Sequence, residues 1–296
     1  MRIASHAPSR SAGLRAWVVC LGCGLALFTV MGLGVNAFTV YQPYLLRVHG
    51  FTNAQGSWIT TVRSLFALLS MLTVDRLCRR LGLRNTMVLG MACFVGSYLL
   101  FGFARGFSAY CGGAVLSGLA YGYGGMIPLT LVISRWFPTG RGFALGMAAA
   151  GSGISTIFAP PLITGAIQAL GLSAAFLWEA AAGVLLTLLV LLLVRDSPDC
   201  PELQRAGDSA PGGRGEGLSR PLLGMVLLSA FLTGGPCGPG FSHLTVLYTS
   251  AGFSSGTAAL LMSYLGLVLI AAKVLYGWLS DRLGSRMANS LIFGVF

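Results

Sequence analysis

The sequence predicts an all-α membrane protein built around an internal repeat. Three observations carry that reading. Hydrophobic residues make up 55% of the chain and charged residues only 9%, against about 25% charged in an ordinary soluble domain. Apolar runs follow one another along the chain, most of them long enough to cross roughly 30 Å of hydrocarbon at 1.5 Å per residue. One arrangement of residues also occurs twice. An apolar run at 56–74 holds a single cation, Arg63, and closes on Asp75-Arg76-Leu77-Cys78-Arg79-Arg80. A second run, starting near residue 257, holds Lys273 and closes on Asp281-Arg282-Leu283-Gly284-Ser285-Arg286. Matching cations and matching Asp-Arg-Leu-x-x-Arg endings indicate a duplicated unit.

Taken in order, residues 1–15 form a short basic leader with Arg2, Arg10 and Arg15. Residues 16–38 are the first expected spanning helix, with Asn36 late in it; the apolar stretch is too long for a signal-peptide core and lacks a small-residue cleavage site. A loop is expected at 41–55, then the helix holding Arg63. Residues 85–104, 108–133, 143–170 and 174–194 read as helices three to six. Residues 195–220 are polar and rich in Pro, Gly, Ser, Asp and Glu, which reads as an exposed linker. Helix seven is expected at 222–248, interrupted by Gly234-Gly235-Pro236-Cys237-Gly238-Pro239-Gly240, and helix eight at 257–279. Residues 287–296 begin a ninth apolar run too short to span a bilayer, so the sequence is expected to stop inside a helix. The expected division is a six-helix bundle at 1–194, a linker at 195–220, and a partial second bundle at 221–296.

The net charge is +11, but a nucleic-acid surface would need clustered cations on a soluble fold. Here the arginines punctuate apolar runs, so the expected partners are a lipid bilayer and a small solute, with no nucleic acid. With the N-terminus in the cytoplasm, the inner segments hold Arg2, Arg10, Arg15, Arg76, Arg79, Arg80, Arg84, Arg135, Arg141, Arg195, Arg205, Arg214, Arg220, Arg282 and Arg286. The outer loops hold only Arg47 and Arg105. That bias predicts a multi-pass protein of the cell membrane with its N-terminus and linker inside. Cys20 and Cys23 form a CxxC within an apolar helix without a nearby His, which reads as packing and not as a metal or redox site. The sequence has no HExxH, Walker loop, GxSxG or nucleotide fingerprint, so no enzyme, cofactor or metal is expected.

The six helices, the linker and the paired Asp-Arg-Leu endings resemble the major facilitator superfamily, whose turn follows Gly-x-x-x-Asp-Arg-x-Gly-Arg-Arg. The second copy fits with Gly277, Asp281, Arg282, Gly284 and Arg286, while the first has Met71 and Cys78 where glycines are usual. The resemblance implies a fold of two six-helix halves, with further helices beyond Phe296. It also implies a gate formed by Asp75, Arg76, Arg141, Asp281 and Arg282 through charge-assisted bonds to a neighbouring helix. Residues 136–155, WFPTGRGFALGMAAAGSGIS, look like the loop and fifth helix of the monocarboxylate transporters and oxalate:formate antiporters. Trp136, Phe137, Arg141, Ala144, Gly146, Ala148, Ala150, Gly151 and Ser152 fill that pattern. Independently of it, Gly142, Gly146 and Ala150 recur every fourth residue, leaving a flank where another helix can approach closely. Pro160-Pro161 is expected to end or bend the fifth helix. In the antiporters, aromatics on such helices wall the substrate cavity, which implies that role for Tyr121 and Tyr123. Lys273 stands four residues before Gly277, where the antiporters carry an arginine.

A charge inside the membrane costs several kcal/mol unless it is paired or wetted, so it marks a candidate site. Lys273 lies about 12 Å along its helix from Asp281, and Arg63 about 18 Å from Asp75. With the two endings superposed they fall one turn apart on a shared face. Without a deep carboxylate to neutralise them, they would leave a positive cavity suited to a small organic anion. A monocarboxylate, or an oxalate- or formate-like substrate, would be carried by exchange or with a proton. The expected substrate-binding set is Arg63, Lys273, Tyr121, Tyr123 and Asn36. Glu179 is expected in the outer third of helix six, reaching the interface or pairing, and His243 is expected as a solvated histidine. Two alternatives stand beside this reading: a chain that inserts without transporting, and a carrier of another small solute such as a drug or sugar.

Overall fold

The protein is described by a computed structural model over residues 10–137, 139–195, 220–284, 287–288 and 290. Residues 196–219 of the linker expected at 195–220, Arg286 and the run 291–296 lie outside those residues. Within them the secondary structure is helical throughout. Helix α1 runs Arg10–Leu27, passes through a π-helical stretch at Phe28–Ala37, and continues as Phe38–His49. It is followed by α2 (Asn53–Leu81), α3 (Leu83–Phe103), and α4 (Phe107–Gly124, resuming after Gly125 as Met126–Trp136). Then come α5 (Arg141–Leu170), α6 (Leu172–Leu193), α7 (Arg220–Ser250) and α8 (Ser255–Leu283). Among the described residues, α1 to α6 and α8 are long and apolar enough to cross a membrane.

The helix starts have local causes. Thr52 accepts from the Gln55 amide at 3.2 Å while Gln55 Oε1 accepts from the Thr52 amide at 2.9 Å, a reciprocal capping box that starts α2. Ser254 accepts from the Thr257 amide at 3.1 Å and starts α8. Gly82, with φ +85, joins α2 to α3 in a single residue, a conformation that disfavours side-chain-bearing residues.

Several helices run further than expected. The loop expected at 41–55 shrinks to Gly50–Thr52, because Tyr41 and Leu45 lie four residues apart on a buried face of α1 and hold that stretch in the bundle. Pro160-Pro161 does not end α5, and the Gly/Pro run at 234–240 does not interrupt α7. Membrane helices tolerate such residues where neighbouring groups and small backbone adjustments satisfy the freed polar atoms. The Asp-Arg-Leu segments, expected as turns, are helical.

The six N-terminal helices pack as a bundle through the pairs α2–α4, α3–α4, α3–α6 and α1–α5; α8 lies along α5, and α7 along α1. Small residues make the close crossings. Gly142, Gly146 and Gly153 of α5 meet the backbone or side chains of Gly277, Lys273 and Ile270 of α8, so the small-residue flank of α5 is the one α8 uses. A methyl group at Gly146 would stand 2.7 Å from the Lys273 carbonyl oxygen, whereas Gly165 has nothing within 4 Å. Gly146→Ala is therefore expected to lower stability by about 1–3 kcal/mol through overpacking. Gly165→Ala, in open space, should be neutral or stabilising by up to about 1 kcal/mol. Thermal unfolding of the purified variants in detergent would show the opposite signs.

Candidate functional site

The two Asp-Arg-Leu segments do different things, and the cause is one residue. In the second copy Gly284, with φ +80, ends α8 at Leu283, so Asp281 lies in the last turn. In the first copy Cys78 occupies the equivalent position and α2 continues to Leu81. Asp75 is thus internal to its helix and pairs with Arg79 one turn on, both side chains being exposed. Asp281 instead crosses to α5, accepting from the amides of Gly142 at 2.8 Å and Phe143 at 2.7 Å. Helix α5 starts at Gly140, which has no capping side chain, so Asp281 performs the N-cap's task from another helix. A carboxylate is disfavoured at the end of its own helix and favoured at the start of another; the crossing geometry gives it the second environment. Arg141 Nε turns back to the Phe137 carbonyl at 3.0 Å, Arg282 lies 4.6 Å above the Trp278 ring, and Arg76 is exposed at the same end.

Deeper in the bundle, a belt of polar contacts links α2, α1, α5 and α8. The π-helical stretch of α1 shifts its backbone hydrogen bonds, and two successive carbonyls there take side-chain donors. Tyr98 Oη of α3 donates to Leu33 O at 2.9 Å, and Arg63 of α2 donates to Gly34 O at 3.4 Å. Arg63 is 7% exposed and stands 5.3 Å from the Phe38 ring centroid, and the Tyr121 hydroxyl lies within its electrostatic reach. Asn36 Nδ2, in the same stretch of α1, donates to Thr156 Oγ1 of α5 at 2.8 Å. One turn away Lys273 Nζ donates to Ser152 Oγ at 2.5 Å and to Ala149 O at 3.4 Å. Arg63, Asn36 and Lys273 are therefore joined through α1 and α5. Tyr123 is not part of this belt: its hydroxyl meets Thr73 Oγ1 of α2 at 3.1 Å. Residues two apart on a helix point about 200° apart, so one face cannot hold both tyrosines.

The two cations of the belt face neutral groups. The ion pair among the described residues is Asp75–Arg79; Arg63 and Lys273 have neutral oxygens and a ring as neighbours. A guanidinium has five donors and an ammonium three, more than these contacts use.

Two expectations are overturned, the absence of a deep carboxylate and a solvated His243. Glu179 does not reach an interface: it is 1% exposed among α1, α3 and α6 and accepts from Tyr41 Oη at 2.6 Å. A deep carboxylate therefore exists. Only the packing of α1 and α3 around that side of α6 hides it from water. His243 is half-buried within α7, its Nδ1 3.5 Å from Gln42 Nε2, because α7 lies against α1. Ser152 stood within the motif at 136–155, yet its contact with Lys273, like that of Thr156 with Asn36, depends on helix crossings.

Comparison with known proteins agrees with this architecture. The Major Facilitator Superfamily profile matches residues 22–296. Monocarboxylate transporter 12 of Rattus norvegicus is 24% identical over 90% of this chain and 60% of its own length. The oxalate:formate antiporter of Oxalobacter formigenes is 28% identical over 55% of this chain and 39% of its own. The crystal structure of a D-xylose-proton symporter superposes with a TM-score of 0.66 at 14% identity, covering 90% of this chain and 68% of that one, a likeness of fold. The chain spans about two thirds or less of the length of these curated relatives.

The asymmetry of the two aspartates has a measurable consequence. Asp281→Ala leaves two helix-start amides without their acceptor and is expected to cost about 1–2 kcal/mol. Asp75→Ala breaks an exposed i,i+4 pair worth about 0.3–0.5 kcal/mol. Chemical unfolding in detergent at low salt would resolve the difference, and equal losses would contradict the capping role.

Proposed function

This chain belongs to the Major Facilitator Superfamily, and from that premise we propose that it carries a small organic anion across a membrane by alternating access. The reading rests on one observation: Arg63 and Lys273 are held in a polar belt by neutral acceptors, with no acid paired to either among the described residues. A substrate carboxylate supplies the missing charge. Arg63 offers a planar pair of donors and Lys273 a mobile point charge, which together suit a monocarboxylate or a small dicarboxylate of the oxalate class. Asn36, Ser152 and Thr156 supply neutral donors and acceptors between the two cations, and Tyr121 walls the site beside Arg63. Helices α1 to α6 act as one half of the carrier and α7 and α8 as part of the other. The names of the monocarboxylate and oxalate:formate relatives favour this substrate class over sugars.

In this mechanism Asp281 closes the arginine-rich end. Its two bonds join α8 to α5, so opening that end requires both to break while the halves rock about the belt. The arginine-rich end faces the cytoplasm, as the positive-inside rule requires, in a cell membrane. Cysteines placed at Arg79 and Arg47 test the orientation: an impermeant thiol reagent added to intact cells should label position 47 and spare position 79, and the reverse would overturn it.

The substrate class is tested with liposomes holding the full-length protein and labelled oxalate, formate or lactate. Lys273→Ala removes a desolvated charge and is expected to weaken the substrate by about 2 kcal/mol or more, roughly thirtyfold. Lys273→Arg retains the charge and should retain part of the exchange. Arg63→Ala should chiefly raise the half-saturating concentration. Unchanged rate and affinity in Lys273→Ala would remove the anion-site assignment.

A further inference from the structure

Glu179 has no part in the belt, yet its surroundings are unusual for a carboxyl group. It stands seven residues, about 10 Å, into α6, with 1% of its surface exposed. Oε2 is 2.6 Å from Tyr41 Oη, and Oε1 has no hydrogen-bond partner. Tyr41 Oη also lies 3.4 Å from the Ala175 carbonyl, one turn before Glu179. The Tyr41 ring stacks on Phe176 at 4.1 Å, which fixes the phenol over this turn of α6.

That geometry serves two protonation states without moving a heavy atom. With the carboxylate ionised, the phenol hydrogen points at Oε2. With the proton on Oε2, the carboxyl donates to Tyr41 Oη, and the phenol hydrogen turns to Ala175 O. A permanently charged carboxylate here would be costly without a cation, and the described structure pairs none with it. The ionisable groups around it are few. Helix α1 contributes Tyr41, with Arg47 and His49 nearer its end and His49 engaged by Tyr110. Helix α3 contributes Tyr98, its Arg84 lying at the other end against Leu191 O. Helix α5 carries only Arg141, at its start. Tyr98 is the link onward: its ring meets Tyr41 edge-on at 6.4 Å, while its hydroxyl occupies Leu33 O beside the Gly34 carbonyl that holds Arg63.

We propose that Glu179 is a proton-binding site positioned by Tyr41, and that the proton it holds travels with the anion. This rests on the carrier reading above. In the empty carrier the Arg63 cation, one tyrosine away, favours the ionised carboxyl. An anion on Arg63 cancels that field, and Glu179 takes a proton from water; on the other side both leave. Proton and anion then bind together, each tightening the other, and the bundle never turns over with an added net charge.

Difference infrared titration of the full-length protein in lipid reads the carboxyl directly. A protonated-carboxyl stretch that is missing in Glu179→Gln should grow and vanish between about pH 5 and pH 9, and should strengthen when oxalate is added. Tyr41→Phe keeps the acid, removes the donor that serves the ionised form, and should hold the proton about tenfold more tightly. In liposomes, Glu179→Gln should lose at least about tenfold in uptake driven by a pH gradient, relative to exchange at equal pH. A Glu179 signal that is constant across the range, or pH-driven uptake unchanged by Glu179→Gln, overturns the proposal. If Glu179 titrates but no carboxylate is carried, the proton site stands and the anion reading falls.

Discussion

The contact on which the rest of the arrangement depends is Asp281 on the first amides of α5. Helix α5 begins at a glycine without a cap of its own, and α8 ends on an acid in its last turn. Each end is poorly satisfied alone, and each satisfies the other. The bond sets the register of α8 along α5. From that register follow the glycine seam at Gly142, Gly146 and Gly153 and the position of Lys273 on Ser152. A different register would bring larger side chains into the seam and take the lysine away from its oxygens. The contact between α8 and α5 and the placement of Lys273 are therefore one structural fact.

The second constraint is the requirement that backbone polar groups inside a membrane be satisfied by protein. The π-helical stretch of α1 departs from regular helical bonding, a departure frequent at functional sites. Arg63 and Tyr98 come from two other helices to its carbonyls. Asn36, in the same stretch, reaches α5. This segment ties α2, α3 and α5 to α1, and explains why a buried cation and a buried tyrosine converge there. Tyr98 joins the belt to the separate cluster around Tyr41, Phe176 and Glu179.

Much of the fold was legible because lipid imposes simple rules. Helix existence and order followed from apolar length, and α3, α5 and α6 begin and end within two residues of the expected limits. The limits failed where polar or helix-breaking residues face protein. Residues 41–49 were expected in a loop, yet Tyr41 and Leu45 are buried. The Gly/Pro run of α7 looked like a break because intrinsic propensity is measured without neighbouring helices. The repeat was visible, but its structural asymmetry was not, although the residue at which the copies differ, Cys78 in place of glycine, stood in plain sight.

The sequence alone determined that this is a helical membrane protein of a duplicated design, because hydrocarbon admits few ways to bury a backbone and they leave a strong signal in composition and period. It also singled out Arg63 and Lys273, since a charge in an apolar run is conspicuous whatever surrounds it. Only the tertiary structure decided their company: Ser152 for the lysine, the π-helical carbonyl for the arginine, Tyr123 turned away to Thr73, and Glu179 enclosed with Tyr41. Such contacts span up to more than a hundred residues of chain, and their partners are serines, tyrosines and backbone atoms that no local pattern marks. Burial of a single side chain is a property of the helices packed around it, and the sequence of one helix does not contain it.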